Sequence, residues 1–493
     1  MFKNKLFISS TLPYVNFPDS LIPDENGVLK ISPGHIGHCY EFVLTDVIAR
    51  YYRIKLGPQN VFFNTGIDEH GQKVFESAQS LNLPPQEYCD KLSERWKEFC
   101  EKFNISYDNF YRTSDPDHKL KALTFFKQLQ DSGDIFLKKY IGLYCKGCEA
   151  FKLEKDLING SCEQHPTVVI ETISEENYFF KLSKYVNKIP SNILLDNTLK
   201  KSLDSIIEET QDMSISRDKQ KVSWAIEIPN TNQTIYCWQE ALSNYFFAAG
   251  YIPGENPSKE FLSWWSNSMI VCGRDNLRFQ AVILPGLLSA INLPAPSKVF
   301  VHGIIQDENG SKMSKSTGNV IDPIDQLEKY GLNPLRYYLV AGLNSFGNSS
   351  YSEKELALKY NNDIVNGYGN LLSRTLHLID IKSIIIDPSL ITEKKYIDDI
   401  IDSASIEFEN GDLRQAYNYI LRGVIWANKI ITEERPFSAD CINPAEILNN
   451  VYYLLTQVSP FYNILFPDLA DSIENALREK KKVILFKRLE DVG

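Results

Sequence analysis

Short apolar runs alternate with stretches of helical periodicity over most of the chain. Leu6 to Leu12, Val61-Phe62-Phe63-Asn64, Met269 to Cys272 and Val299 to Ile305 read as β-strands. Between the first two, Phe42, Val43, Val47 and Tyr51 fall on one helical stripe, which predicts a helix from Gly37 packed on a sheet. Asp115-Pro116 supplies an N-cap and first-turn pair for a helix running to about Gly133. From Val222 the pattern predicts a short strand to Ile228, another ending at Cys237, and a helix opened by Trp238. Asn16 to Pro33, polar and broken by Pro18, Pro23 and Pro33, reads as a loop. Beyond Ser352 strand signals fade, and Leu356 to Ile379 and Ser403 to Thr432 predict long amphipathic helices.

Strand then helix, repeated, predicts an α/β fold with a doubly wound parallel sheet, and the helical remainder predicts a bundle. The expected domains are a first α/β half over 1–115, an insertion over 116–221, a second half over 222–350 and an all-α bundle over 351–493. At 493 residues the chain is long enough for about two to four domains. A net charge of −11 argues against indiscriminate coating of nucleic acid, although Arg478-Glu479-Lys480-Lys481-Lys482 with Lys487-Arg488 offers a local positive track. No apolar run approaches membrane-spanning length, and Met1-Phe2-Lys3-Asn4-Lys5 lacks the apolar segment of a signal peptide. Nine cysteines, odd in number and scattered apart from one cluster, fit a reduced compartment, so a cytoplasmic protein is expected.

The candidate chemistry sits at the strand ends. His302-Gly303-Ile304-Ile305 leads into Gly310-Ser311-Lys312-Met313-Ser314-Lys315-Ser316-Thr317-Gly318-Asn319. Small hydroxyl residues let a backbone approach a polyphosphate, and the ammonium groups of Lys312 and Lys315 can neutralise a leaving phosphate. Upstream, His35-Ile36-Gly37-His38 places two imidazoles at a strand-to-helix crossing, where they can donate to nucleotide phosphates. Asp68 lies in Thr65 to Gly71, again between strand and helix. In the insertion, Cys145, Cys148, Cys162 and His165 have the spacing of a closed tetrahedral zinc site with a structural role; buried free thiols are the alternative.

Lys312 to Ser316 matches, letter for letter, the second signature of class I aminoacyl-tRNA synthetases, and His35 to His38 supplies its partner motif. With Leu12 to Asn16, Thr65 to Gly71, the cysteine knuckle, Asn177 to Phe180, Asp212 to Arg217, Trp238 to Tyr245 and Gly369 to Arg374, the chain resembles the methionyl-tRNA synthetase family over nearly its whole length. That resemblance implies a Rossmann-like catalytic domain with an inserted zinc-knuckle domain and a helical anticodon-binding bundle. It implies adenylation of an amino acid by ATP with Mg2+, then transfer to tRNA, in a monomer carrying structural Zn2+. His35 and His38 would hold ATP phosphates with Lys315, helped by Lys312, neutralising the leaving pyrophosphate. Gly273, Asp275 and His302 would complete the ATP site. Asp68 would bind the substrate amino group, Leu12, Tyr14, Trp238, Ala241 and Tyr245 would wall its side chain, and Arg217 would lie beside the adenylate. Asn370, Arg374 and Phe437 would meet the anticodon.

Asn276 and Gln280 depart from the pattern, since the family usually has isoleucine and histidine there, at positions lining the side-chain pocket. Two amides beside a thioether lose hydrogen bonds to water and gain little, about 1–3 kcal/mol for each group left unsatisfied. A loop longer than usual, Phe17 to Gly34, precedes the histidines, and Phe437 replaces the usual tryptophan. Three readings follow: an enzyme of methionine; a paralogue with the same adenylate chemistry on a more polar or modified amino acid; and a catalytically silent tRNA-binding protein, which the intact histidines and lysines oppose.

Overall fold

The computed structural model describes residues 4–146, 150–152, 154, 157–162, 166, 168–313 and 319–490. Five parallel strands form the central sheet: β1 (Leu6–Ser9), β2 (Val61–Ile67), β3 (Asn109–Arg112), β4 (Ser268–Gly273) and β5 (Lys298–His302). Their order is β5-β4-β1-β2-β3. β1 and β4 are buried along their whole length, which is why both read as continuous apolar runs. Because the order reverses at β1, a crevice opens beyond the carboxyl ends of β1 and β4.

Helix α1 (Ile36–Leu56) crosses over from β1 to β2 and is buried on nearly every face. One side packs on the sheet and the other on the helix Pro444–Leu465, so apolar residues go all the way round. A single apolar cluster therefore runs from Leu6 and Ile8 of the sheet through Val43 and Val47 to Leu371, Val424 and Leu455 of the bundle.

Inside this joint Arg336, fully buried, donates to Asp46 of α1 at 2.6 Å and to the carbonyls of Phe103 and Leu465 at 2.8 and 2.9 Å. Asp46 also accepts from Arg50 and from the Ser106 amide. Burial pushes the Asp46 carboxyl up, yet Arg336 and Arg50 beside it hold it below its ordinary value.

The insertion is built on two long antiparallel strands, Ile135–Cys145 and Ile170–Phe180, edged by Ala150–Lys152 and Met213–Ser214. Among the described residues no helix is long and apolar enough to cross a membrane.

Several expected elements differ. Val222 to Ile228 is not a strand: Glu227 makes one isolated bridge to Thr234, and Gln233–Ile235 pairs antiparallel with Ser216–Asp218, apart from the parallel sheet. Helix α2 begins at Cys237 and runs to Ala248. Asp115 precedes its helix without a side-chain cap bond. The expected helix Ser403 to Thr432 is two helices, Lys394–Asn410 and Leu413–Glu433. Gly411 at φ +84° turns the chain between them, and Asp412 caps the second by accepting from the Gln415 amide. From Glu353 to Ile381 the helix is continuous but winds wider over Tyr360–Gly369.

Replacing Arg336 with methionine leaves Asp46 buried without its main partner and is expected to cost about 3–5 kcal/mol, read by urea unfolding at neutral pH. Because Asp46 is held below its ordinary value, its stabilisation is present above the unfolded carboxylate value and lost as pH falls through the folded one. The gap between wild type and variant should therefore narrow in acid.

Candidate active site

α1 starts at the crevice, and its first turn is organised by the two histidines. His35 occupies the N-cap, its Nδ1 accepting from the Gly37 amide at 3.0 Å, while His38 Nδ1 accepts from the His35 amide at 3.2 Å. The pair forms a capping box built from imidazoles. Each Nδ1 is thus an acceptor, which puts the proton of each neutral ring on Nε2 as a donor. The rings stack at 4.0 Å, and the edges of Phe17 and Trp96 hold His38 at 5.9 and 5.7 Å. Two Nε2–H donors at the positive end of a 21-residue helix suit an anion.

The long loop before His35 is strapped down rather than loose. Arg95, on helix Pro85–Lys102, donates to the carbonyls of Ser20, Leu29 and Ile31, and the Ser32 amide donates to Asp322 just past the lysine loop.

A cleft of about 330 Å3 opens beyond the carboxyl ends of β1, β4 and β5. Its lining includes His35, His38, Gly273, Asp275, His302 and Lys312. His302 is buried at the end of β5, its Nδ1 facing the Gly303 carbonyl at 2.8 Å and its Nε2 facing Glu41 of α1 at 3.1 Å. Acceptors on both nitrogens favour the doubly protonated ring. Burial pushes the imidazole down, but Glu41, the Gly303 carbonyl and Asp275 outweigh it, and the net shift is upward. Glu41 also accepts from the amide and hydroxyl of Thr11, so it ties the loop after β1 to the end of β5. Beside His302, a Cβ on Gly303 would stand 1.9 Å from the Gly347 carbonyl oxygen, so this turn admits only glycine. Lys315 lies outside the described residues.

The same cleft is lined by Leu12, Tyr14, Asp68, Trp238, Ala241, Tyr245, Asn276 and Gln280. Asp68, buried at the end of β2, pairs through its backbone with Tyr14 and has Thr113 Oγ1 at 3.5 Å. α2 presents Trp238, Ala241 and Tyr245 at helical spacing, and the Trp238 indole stacks on Phe279 at 4.2 Å. Gln280 donates to the Tyr245 phenol at 2.9 Å. Away from the cleft, α2 is anchored by fully buried Glu240, whose two oxygens meet His70 at 2.8 Å and His118 at 2.6 Å; burial pushes Glu240 up, and the two histidines bring it below its ordinary value.

Some expected residues lie elsewhere. Arg217 is buried in Ser216–Asp218, donating to Ser214 and the Ser216 carbonyl with its guanidinium over Tyr236, and does not line the cleft. Asn370, Arg374 and Phe437 are in the bundle, where Phe437 is 43% exposed with Arg374 and Arg435 over its ring at 5.4 and 5.7 Å. Cys145 and Cys162 are both buried at strand ends, and their thiols fit the donor chemistry of a zinc knuckle; Cys148 and His165 lie outside the described residues. Glu41, Thr11 and Asn244 also line the cleft without having been expected. Glu41 left one signal, a lone carboxylate between Tyr40 and Phe42 in an otherwise apolar run.

A family model described as tRNA synthetases class I (M) matches residues 29–168 and 152–376. The chain belongs to this family. It is 35% identical to methionine–tRNA ligase 1 of Bacillus cereus over 82% of the chain and 64% of that relative. It is 32% identical to the methionine–tRNA ligase of Thermotoga maritima over 99% of the chain and 72% of the relative. Thus the chain spans about two thirds of the length of these relatives. The structure of Mycobacterium tuberculosis methionyl-tRNA synthetase in complex with methionyl-adenylate superposes with a TM-score of 0.84 at 26% identity, covering 96% of this chain and 94% of that one. As expected from its motifs, the chain has the family's Rossmann-like α/β fold followed by a helical region.

The Glu41 contact predicts a titration. NMR of the His302 ring should give a midpoint above the ordinary histidine value, and Glu41→Gln should move it below, because burial then dominates. The stability this pair adds is complete below the unfolded histidine value and is lost as pH rises through the folded one. Wild type and E41Q should therefore differ most in mild acid.

Proposed function

We propose that this chain activates methionine with ATP and transfers it to a tRNA. What supports the reading is one arrangement: His35, His38 and Lys312 line the same cleft as Asp68, Trp238 and Tyr245. The relatives named methionine–tRNA ligase supply the amino acid.

In this reading ATP enters with Mg2+, its phosphates at the first turn of α1. The Nε2–H groups of His35 and His38 at the amino end of α1 receive phosphate oxygens, while Asp275 beyond β4 holds the ribose. Asp68 binds the substrate ammonium, which aims its carboxylate at the α-phosphate. A carboxylate oxygen forms the new bond to phosphorus as the bond to the bridging oxygen breaks, and the electron pair leaves with pyrophosphate. Lys312 and Lys315 neutralise that charge. A terminal ribose hydroxyl of the tRNA then attacks the acyl carbonyl and AMP leaves. No side chain forms a covalent bond, so rate comes from positioning and from charges set in advance.

Cys145, Cys148, Cys162 and His165 would hold a zinc ion that cross-links the knuckle of the insertion. In the bundle, Phe437 with Arg374 offers a stacking face and a cation, and with Asn370 would meet anticodon bases.

Methionine-dependent exchange of pyrophosphate into ATP tests the reading. Wild type should catalyse exchange with methionine and magnesium, and His38→Ala should slow it about 10²–10³-fold through loss of one donor to the developing charge. Exchange with no amino acid at all would overturn it.

A further inference from the structure

Asp68, Glu69 and His70 follow β2 in succession, and each side chain takes a different direction. Asp68 lines the cleft and is fixed by its backbone, its amide donating to the Pro13 carbonyl at 2.9 Å and its carbonyl accepting from the Val15 amide at 3.1 Å. Glu69 turns to β3, where Arg112 donates to it at 2.7 Å. His70 turns to α2, its Nδ1 standing 2.8 Å from Glu240 Oε1. The other Glu240 oxygen meets Nε2 of His118, on helix Pro116–Asp131, at 2.6 Å. All three side chains are buried, and none of them lines the cleft.

The His70–Glu240 bond matters for what stands beside it. His70 is two residues past Asp68, and Glu240 lies between Trp238 and Ala241 on the turns of α2 that present the pocket wall. The bond therefore joins the carboxylate that receives the substrate ammonium to the wall that closes on the side chain. β2 and α2 also meet through Asn64 and Asn244, at 3.3 Å and between neutral amides. Burial pushes Glu240 up, but the two histidines bring it below its ordinary value, so it is ionised at neutral pH. An ionised carboxylate only accepts, so each imidazole nitrogen facing it carries its proton there. Bonds of this kind are about twice as strong as neutral ones. A slip of α2 by one residue would turn Glu240 about 100° round the helix and break both of them.

We propose that the His70–Glu240 bond sets the span between Asp68 and the α2 wall, and with it the length of amino-acid side chain that the site accepts. This rests on the methionine activation proposed above. His70 and Glu240 are positioning residues, acting through Asp68 and through Trp238, Ala241 and Tyr245. His118 braces the same carboxylate from a helix that carries no residue lining the cleft, so it supports α2 without spanning the site.

The test compares methionine with ethionine, one methylene longer, in ATP–pyrophosphate exchange. The readout is the ratio of their kcat/KM, taken within each protein so that general losses of activity cancel. One methylene in an apolar pocket is worth about 10–200-fold, and wild type should discriminate within that range. His70→Leu should lower the ratio about tenfold and raise KM for methionine while KM for ATP holds. Glu240→Met breaks the same bond from its other end and should do the same, which guards against a His70 variant that misfolds. His70→Asn, whose amide can donate from nearly the place of Nδ1, should restore most of the ratio. His118→Leu removes the other partner of the same carboxylate; it should lower the melting temperature as His70→Leu does, yet leave the ratio at its wild-type value. Wild-type ratios in His70→Leu and Glu240→Met would overturn the proposal. An equal fall in His118→Leu would overturn it too, because the three residues would then be a structural anchor alone. Absence of methionine-dependent exchange in wild type would instead overturn the activation reading, and this inference with it.

Discussion

Parallel strands deliver their carboxyl ends to one edge of a sheet, and a reversal of strand order at β1 parts the loops that leave β1 and β4 there. The cleft follows from that constraint. Tyr14 comes from the loop after β1, Asp68 from the end of β2, Gly273 and Asp275 from the end of β4 and His302 from the end of β5. α1 must cross from β1 to β2, so its amino end, with His35 and His38, starts at the same edge. The positive end of a helix and two imidazole donors are thereby aimed at whatever anion occupies the crevice.

α1 also carries the mechanical load. Its first turns face the cleft, while Asp46 further along is gripped by Arg336, which binds carbonyls of the bundle helix Pro444–Leu465 and of Phe103. The apolar cluster continues across this joint without a break. A helix buried between sheet and bundle keeps the two histidines in register with Asp275 and His302.

Charge is buried sparingly and in pairs. Asp46 with Arg336, Glu69 with Arg112, and Glu240 between His70 and His118 each have close partners, as buried ions require. These contacts fasten the elements that line the cleft without entering it.

Four of the five strands of the central sheet, the helix that starts at the two histidines, Asp68 at the end of β2, and the change to a helical texture near Ser352 were legible in the sequence, whereas β3 (Asn109–Arg112) and the long strands Ile135–Cys145 and Ile170–Phe180 were not. The legible features rest on local periodicity and on motifs whose spacing the chain itself carries. Gly411 breaks a helix that amphipathic spacing alone ran straight through, because a left-handed turn followed by an Asp412 cap is cheap there and periodicity does not register it. Val222 to Ile228 has strand-like composition but pairs only at its end, where Glu227 bridges Thr234, and only tertiary contacts decide how far such a ladder extends. The role of Glu41 was equally out of reach: its partners Thr11 and His302 lie 30 and 261 residues away. A sequence states which groups are present and which local conformation each prefers; which distant groups end up within hydrogen-bonding distance, and so which charges and amides are satisfied, is decided when the sheet closes.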